Sequence, residues 1–290
     1  MKQGSGRGFF LAFVLSSILP LPAVPAAEAV EMRFKFQSGQ THAYRMRAEQ
    51  ETEVSSDLSP GTIQKTSIST SAVLREKVAS VSAGSASMEF GFDSFSARQL
   101  VAGKAYPVDG GEALGKIRIG LNMSPLGELS AVHVLNPDEI DRAARRVAES
   151  MCLSLSRQAL MLPERPVSPG DSWQVEKEIP SILPGTHGLN MRLSSTYKFA
   201  GTQKVRGMNC ARIEVRVSLS LRGKAERAGV PIGAELTGEG RGESLLAIEA
   251  GLLLSSQSQM EISGDLTAGT KGQMVKTNIK LALKTGLILK

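Results

Sequence analysis

Period-two alternation over long stretches is the feature that most constrains this chain. From Ala211 to Leu221 the odd positions read Ala, Ile, Val, Val, Leu, Leu, while Arg212, Glu214, Arg216, Ser218 and Ser220 fill the even ones. Near the end, Ile279, Leu281, Leu283, Leu287 and Leu289 share one parity, and Lys276, Lys280, Lys284 and Lys290 the other. His42–Val54 repeats the scheme, with Tyr44, Met46, Ala48 and Val54 set against Arg45, Arg47, Glu49, Glu51 and Glu53. Side chains of a strand point alternately to its two faces, so these segments form antiparallel strands with one dry and one wet face. Weaker versions cover 30–37, 62–81, 85–95, 115–123, 127–134, 190–200, 244–249 and 252–264. Turn signals separate them at Ser59-Pro60-Gly61, Asp109-Gly110-Gly111, Pro125-Leu126-Gly127 and Gly207-Met208-Asn209. Gly238, Gly240 and Gly242 alternate in a strand context, which marks a bend or bulge rather than a phosphate loop.

One helix interrupts the strands. Asn136 is a good N-cap, Pro137 suits the first turn, and Asp138 and Glu139 complement the dipole. Ile140, Ala144, Val147, Met151, Cys152, Leu155 and Leu162 follow at helical spacing until Pro163. The expected organisation is an N-terminal β half over 27–135, a central amphipathic helix over 136–162 and a C-terminal β half over 163–290, forming one structural unit. Each half holds a long hairpin with a glycine turn: Val73–Val81, Gly84, Ala86–Phe92 in the first, and Ser195–Val205, Gly207, Cys210–Leu221 in the second. The predicted fold class is mainly β. It is either one large curved antiparallel sheet, half-barrel-like, or two packed sheets from two similar halves, with one central α-helix.

The chain opens with an export signal. Lys2 and Arg7 precede an apolar run from Phe9 to Leu19 and a small-residue exit, with cleavage after Ala26 or Ala29. The run is shorter than the roughly 20 residues of a membrane-spanning helix, and no later run approaches that length. Removal of residues 1–26 leaves 32 Lys+Arg against 28 Asp+Glu. The expected location is therefore the periplasm or the exterior. Cys152 and Cys210 are the only cysteines, and an oxidising compartment allows a bridge between them or leaves two buried thiols.

Catalytic signatures are missing. His42, His133 and His187 stand alone in their segments, so no zinc-ligand spacing forms and no metal or other cofactor is expected. No nucleophile elbow, Walker loop or dinucleotide fingerprint falls in a fitting context. Aromatic residues make up only 4%, too few for a base-stacking nucleic-acid module. The expectation is a protein that is not an enzyme.

The stretch Leu162-Pro163-Glu164-Arg165-Pro166-Val167-Ser168-Pro169-Gly170-Asp171-Ser172-Trp173 resembles the L-P-x-x-P-V-x-x-G-D-S-W segment of an uncharacterised family of exported bacterial proteins of unknown function. The likeness extends to Phe36-Gln37-Ser38-Gly39-Gln40-Thr41-His42-Ala43-Tyr44 and to the Ser124-Pro125-Leu126-Gly127-Glu128-Leu129 turn. The resemblance implies export and β-architecture, with no reaction attached. Trp173, the lone indole, is expected to plug a core at the start of a strand.

About a dozen one-sided strands create more apolar surface than one helix can hide. Either the sheet packs on itself or it leaves a groove for an apolar or amphiphilic ligand such as a lipid. Ser256 and Ser258 share a face with Leu252, Leu254, Met260 and Ile262, which leaves that face under-filled. Met151, Leu155, Leu252, Leu254, Ser256 and Met260 are therefore the candidate ligand-binding residues. The pattern is similar in architecture to the periplasmic lipid and lipoprotein carriers, with no motif behind the likeness. The alternative is a cell-envelope interaction or scaffold module that binds a protein partner or an anionic surface through Lys276, Lys280 and Lys284.

Overall fold

The structure, a computed structural model, describes residues 29–101, 104–107, 114–158, 160–180, 188–227, 229–270 and 273–290. The leader at 1–26, the Asp109-Gly110-Gly111 turn and His187 lie outside the described residues. Among those described, the strands are β1 (Thr41–Ser56), β2 (Ile63–Ser82), β3 (Ser85–Val101), β4 (Lys104–Pro107), β5 (Arg118–Met123) and β6 (Leu129–Val134). After the helix come β7 (Ser172–Pro180), β8 (Leu189–Val205), β9 (Met208–Arg227), β10 (Val230–Ala247), β11 (Leu252–Thr270) and β12 (Gln273–Leu289). All join one 12-stranded sheet in the order β6-β5-β3-β2-β1-β12-β11-β10-β9-β8-β7, with β4 on β3. The sheet does not close into a barrel, and the expectation of two packed sheets is set aside. The reason is that β1 and β12, the first and last strands, pair antiparallel from Tyr44↔Leu289 to Ser56↔Thr277 and join the two halves edge to edge.

Matching parity makes that join favourable. Glu49 lies opposite Lys284 and Glu53 opposite Lys280 on the wet face, while Met46 meets Leu287 and Tyr44 meets Leu289 on the dry one. The two long hairpins read from the sequence are present, and their turns are alike. Ala83-Gly84 and Arg206-Gly207 both carry positive φ, 49° and 78° in the first, 50° and 79° in the second. Two successive positive φ values are what a two-residue type I′ hairpin turn requires.

Antiparallel order sorts the connections to two ends, and one of them is tied shut. The extended segment 30–36 crosses that end between the β5–β6 turn and the β10–β11 turn. Phe34 N–H donates to Pro125 O (2.8 Å) and Lys35 N–H to Gly251 O (3.1 Å). Val30 bridges Val167 in both directions, and Leu162 N–H donates to Leu126 O (2.8 Å). Met32, Phe34, Leu162 and Val167 are buried there with Tyr197, Phe199, Ile213 and Leu246, and Met123 and Leu126 pack on from the other half. Trp173 plugs this core as expected: it stacks on Tyr197 (5.5 Å between centroids) and donates Nε1–H to Met161 O (2.9 Å).

The helix departs from expectation. It runs Arg142–Gln158, here α1, rather than 136–162. Asn136 is buried and engaged by the sheet: its Oδ1 accepts from Arg118 N–H (3.0 Å) and its Nδ2 donates to Lys116 O (2.9 Å). Asp141 caps instead, accepting from Ala144 N–H at 2.7 Å. At the far end Leu162 is extended, because its N–H serves the Leu126 carbonyl. Ala144, Ala148 and Cys152 form the buried stripe of α1, which packs at β6 on the sheet's margin with Ile117 and Ile119; Val147 is exposed.

Two glycines, Gly127 and Gly251, permit the tie. Gly127 has φ +87°, and a Cβ there would sit 2.1 Å from Leu160 O and 2.9 Å from the Phe34 ring. Gly39 has a similar φ of +82° but nothing within 4 Å. Gly39→Ala should therefore cost only the backbone strain of about 1–3 kcal/mol. Gly127→Ala should cost visibly more, lowering the urea midpoint further because it also separates segment 30–36 from the β5–β6 turn. Equal midpoints for the two variants would contradict this close approach.

Candidate functional site

Register places the inner-face residues in rows that cross the sheet. Toward the tied end one row reads Ile213, Ser244, Ser256, Leu287, Met46, Ala72 and Phe95. The next row reads Val215, Gly242, Ser258, Thr285, Ala48, Thr70 and Ala97, all small. The third reads Val217, Gly240, Met260, Leu283, Gln50, Ile68 and Gln99. A row of small side chains between two bulkier ones forms a trough across the dry face, and Ser258 in it is exposed.

On either side of the trough the floor is apolar and only half-covered. Ile279, Leu281, Leu283, Leu287 and Leu289 of β12 all face inward, and none is fully buried although β12 is a central strand. Met260, Ile262 and Leu266 of β11 and Leu236 of β10 are half-buried beside them. The glycines at 238, 240 and 242 share this face within β10 and leave room for both neighbours: a Cβ at Gly238 would meet Ile262 Cγ1 of β11 at 2.8 Å, and one at Gly242 would meet Val215 Cγ1 of β9 at 3.0 Å. They mark no bulge: the register is regular through Gly238, Gly240 and Gly242, and the shift in β10 falls between Leu245 and Leu246.

The six expected ligand residues separate into groups. Met260 lies on the half-covered floor, and Ser256 sits at its margin, accepting from Ser244 Oγ at 3.0 Å. Ser258 likewise pairs with Thr285, Oγ to Oγ1 at 2.6 Å. Leu254 is buried with Cys210 and Ala247 at the tied end, with Leu252 packed beside it. Met151 and Leu155 pack around Cys152 at the β5–β6 margin, away from the floor. The sequence missed Leu281, Leu283, Ile262 and Ile279 as site residues. Their parity was legible, but their lack of cover depends on where α1 and segment 30–36 sit.

Cys152 and Cys210 lie in two separate clusters, so of the two arrangements the sequence allowed, a bridge or two buried thiols, the structure has the second. Burial pushes both thiols above the ordinary cysteine range. Lys276, Lys280 and Lys284 do form one stripe on the wet face, but acids interleave with it. Lys276 pairs with Asp265 (3.0 Å), and Lys280 and Lys284 face Glu53 and Glu49 across the β1–β12 ladder. An open groove of about 650 Å³ on the same face is lined by Arg47, Arg216, Arg241 and Lys284 alternating with Glu49, Glu214 and Glu243. Neither feature presents one sign of charge.

Among the described residues no three His, Cys, Asp or Glu side chains gather as a metal centre would need. One titratable pair does face inward: His42 Nδ1 lies 3.4 Å from Glu76 Oε1, with Tyr44 on the same face of β1. Burial, with Glu76 nearby, pushes the Tyr44 phenol far above its ordinary value. The folded chain then keeps a proton that the unfolded chain sheds. This contribution is present below the usual phenol pKa and is lost as pH rises above it. Stability should therefore fall above about pH 10, and Tyr44→Phe should flatten that fall in urea midpoints measured from about pH 8 to 11. Identical slopes for the two chains would contradict it.

No family model matches the chain, and no curated protein matches it. Among solved structures, lipovitellin, described in terms of its lipid–protein interactions, aligns over 88% of this chain with 12% identity and a TM-score of 0.50. This chain spans 25% of that chain's length, and the likeness is one of fold. A DUF1329 family protein from Desulfovibrio piger aligns over 82% of this chain and 83% of its own at 8% identity, with a TM-score of 0.13 that carries no argument. No helix among the described residues is long and apolar enough to cross a membrane.

Proposed function

We propose that this is an exported, non-catalytic lipid carrier that holds acyl chains against the inner face of its central strands. The observation that carries the reading is β12: a central strand of a large sheet whose inward Ile279, Leu281, Leu283 and Leu287 are only half-buried, with no layer over them among the described residues. A dry face left half-open in water is costly, and each methylene that covers it gains about 0.8 kcal/mol. From Ile279 to Leu289 the floor runs about 33 Å at the rise of a strand, longer than the roughly 15 Å of one leaflet's hydrocarbon. A diacyl lipid fits along it. The Ser244–Ser256 and Ser258–Thr285 pairs give its polar end partners at the trough. The fold shared with lipovitellin, a protein described through its lipid interactions, supports the same reading. Export fits a carrier working between membranes, and the leader-like residues 1–26 are the basis for that location.

A pyrene-labelled phospholipid should bind saturably. Replacing Leu281 and Ile262 together by Asp should weaken binding at least about tenfold, since a buried aliphatic side chain is worth about 1.5–3 kcal/mol. Ser263→Asp, on the opposite face of β11, should leave binding unchanged. Failure of the wild-type chain to bind, or equal binding by the double variant, overturns the reading.

A further inference from the structure

We propose that the end of the sheet opposite the tie docks onto a lipid bilayer through apolar hairpin tips. This rests on the carrier reading and adds where lipid enters and leaves. The strands bring the β1–β2, β3–β4, β9–β10 and β11–β12 connections to this one end. Large apolar side chains stand exposed on every one of them: Leu58 (69%) and Ile63 (58%), Leu100, Val101 and Tyr106, Val230, and Met274 (49%). The tied end is different. Its hairpins turn on Ala83-Gly84 and Arg206-Gly207, and its exposed large apolar side chain at a hairpin is Val81. The remaining exposed ones, Leu135, Val147 and Ile288, are scattered singly. Apolar residues gathered on four separate tips mark an interaction surface. They form a rim rather than a groove, which suits insertion into a soft interface better than the seating of a protein element.

Charge on the rim selects the occupant. Lys104 and Lys224 stand exposed without an ion pair among the described residues, alongside exposed Asp57 and Glu226. Lys65 and Lys276 are already held by Glu53 and Asp265. Among the described residues of the rim these cations and carboxylates balance, which matches a zwitterionic headgroup layer, with lysine toward phosphate and carboxylate toward amine. The apolar floor of β12 runs out to this end. A lipid leaving the floor at this end would meet the bilayer that the tips engage.

The test is flotation with vesicles of phosphatidylcholine and phosphatidylethanolamine at low and high salt. The protein should float at both, because apolar insertion is not screened. Leu58→Asp with Met274→Asp should lower the vesicle affinity about tenfold or more. Val81→Asp, equally a hairpin change but at the tied end, should float like the wild type. Binding of the pyrene-labelled phospholipid by the rim variant shows that its fold and seat are intact. Rim-dependent flotation without lipid uptake would uphold docking and remove the carrier reading. Lipid uptake without flotation, or equal losses in the rim and Val81 variants, would overturn docking. So would a dimer in solution that the rim substitutions dissolve while no vesicle binding is seen.

Discussion

The pairing of β1 with β12 is the interaction on which the rest of the structure depends. It runs from Tyr44↔Leu289 to Ser56↔Thr277 and makes one continuous sheet from the two ends of the described chain. Without it, two half-sheets would each expose a long central edge, and each would need its own cover. With it, the dry faces of β2, β1, β12 and β11 become a single surface too broad for α1 to shield. The long loop between the paired strands carries an entropic cost, but that cost grows only slowly with length. A ladder with acids and lysines facing each other on one side and aliphatics on the other offsets it.

Once the sheet is continuous, its cover is unevenly distributed. Segment 30–36 and the linker from Leu160 to Val167 occupy one end and bury Phe199, Ile213 and Leu246. The helix goes to the margin at β6, drawn by Ile117 and Ile119. Among the described residues nothing comparable reaches the inner face of β12, so the middle of the sheet is a floor rather than a core. The small row through Gly242, Ser258, Thr285 and Ala48 deepens that floor where bulkier side chains would fill it.

Much of this was legible in the sequence, and the missing part has a physical explanation. Alternation in 211–221 and 279–289 revealed the strands and their wet and dry faces because period-two patterning is local. The three motif-like segments at 36–44, 124–129 and 162–173 also proved structural: they come together at the tied end, where Phe36, Leu126, Leu162 and Trp173 pack into one cluster. They encode the closure of one end and not the floor. The cap was misread because Asn136 and Asp141 are both good N-caps, and the choice turned on Asn136 having partners at Lys116 and Arg118. The small row was invisible for a stronger reason. Each of its members comes from a different strand, and only register brings them side by side. Likewise nothing local distinguishes the thiols of Cys152 and Cys210 from a bridged pair; separate clusters do.

The most direct measurement of the central claim is native mass spectrometry of the protein, purified without detergent and then extracted with organic solvent. A stoichiometric mass adduct that the extract identifies as lipid, and that is lost when Leu281 and Ile262 are both replaced by Asp, is the expected result. A bare polypeptide mass that stays bare after incubation with phospholipid would contradict the account. The uncovered face of β12 would then require a different occupant.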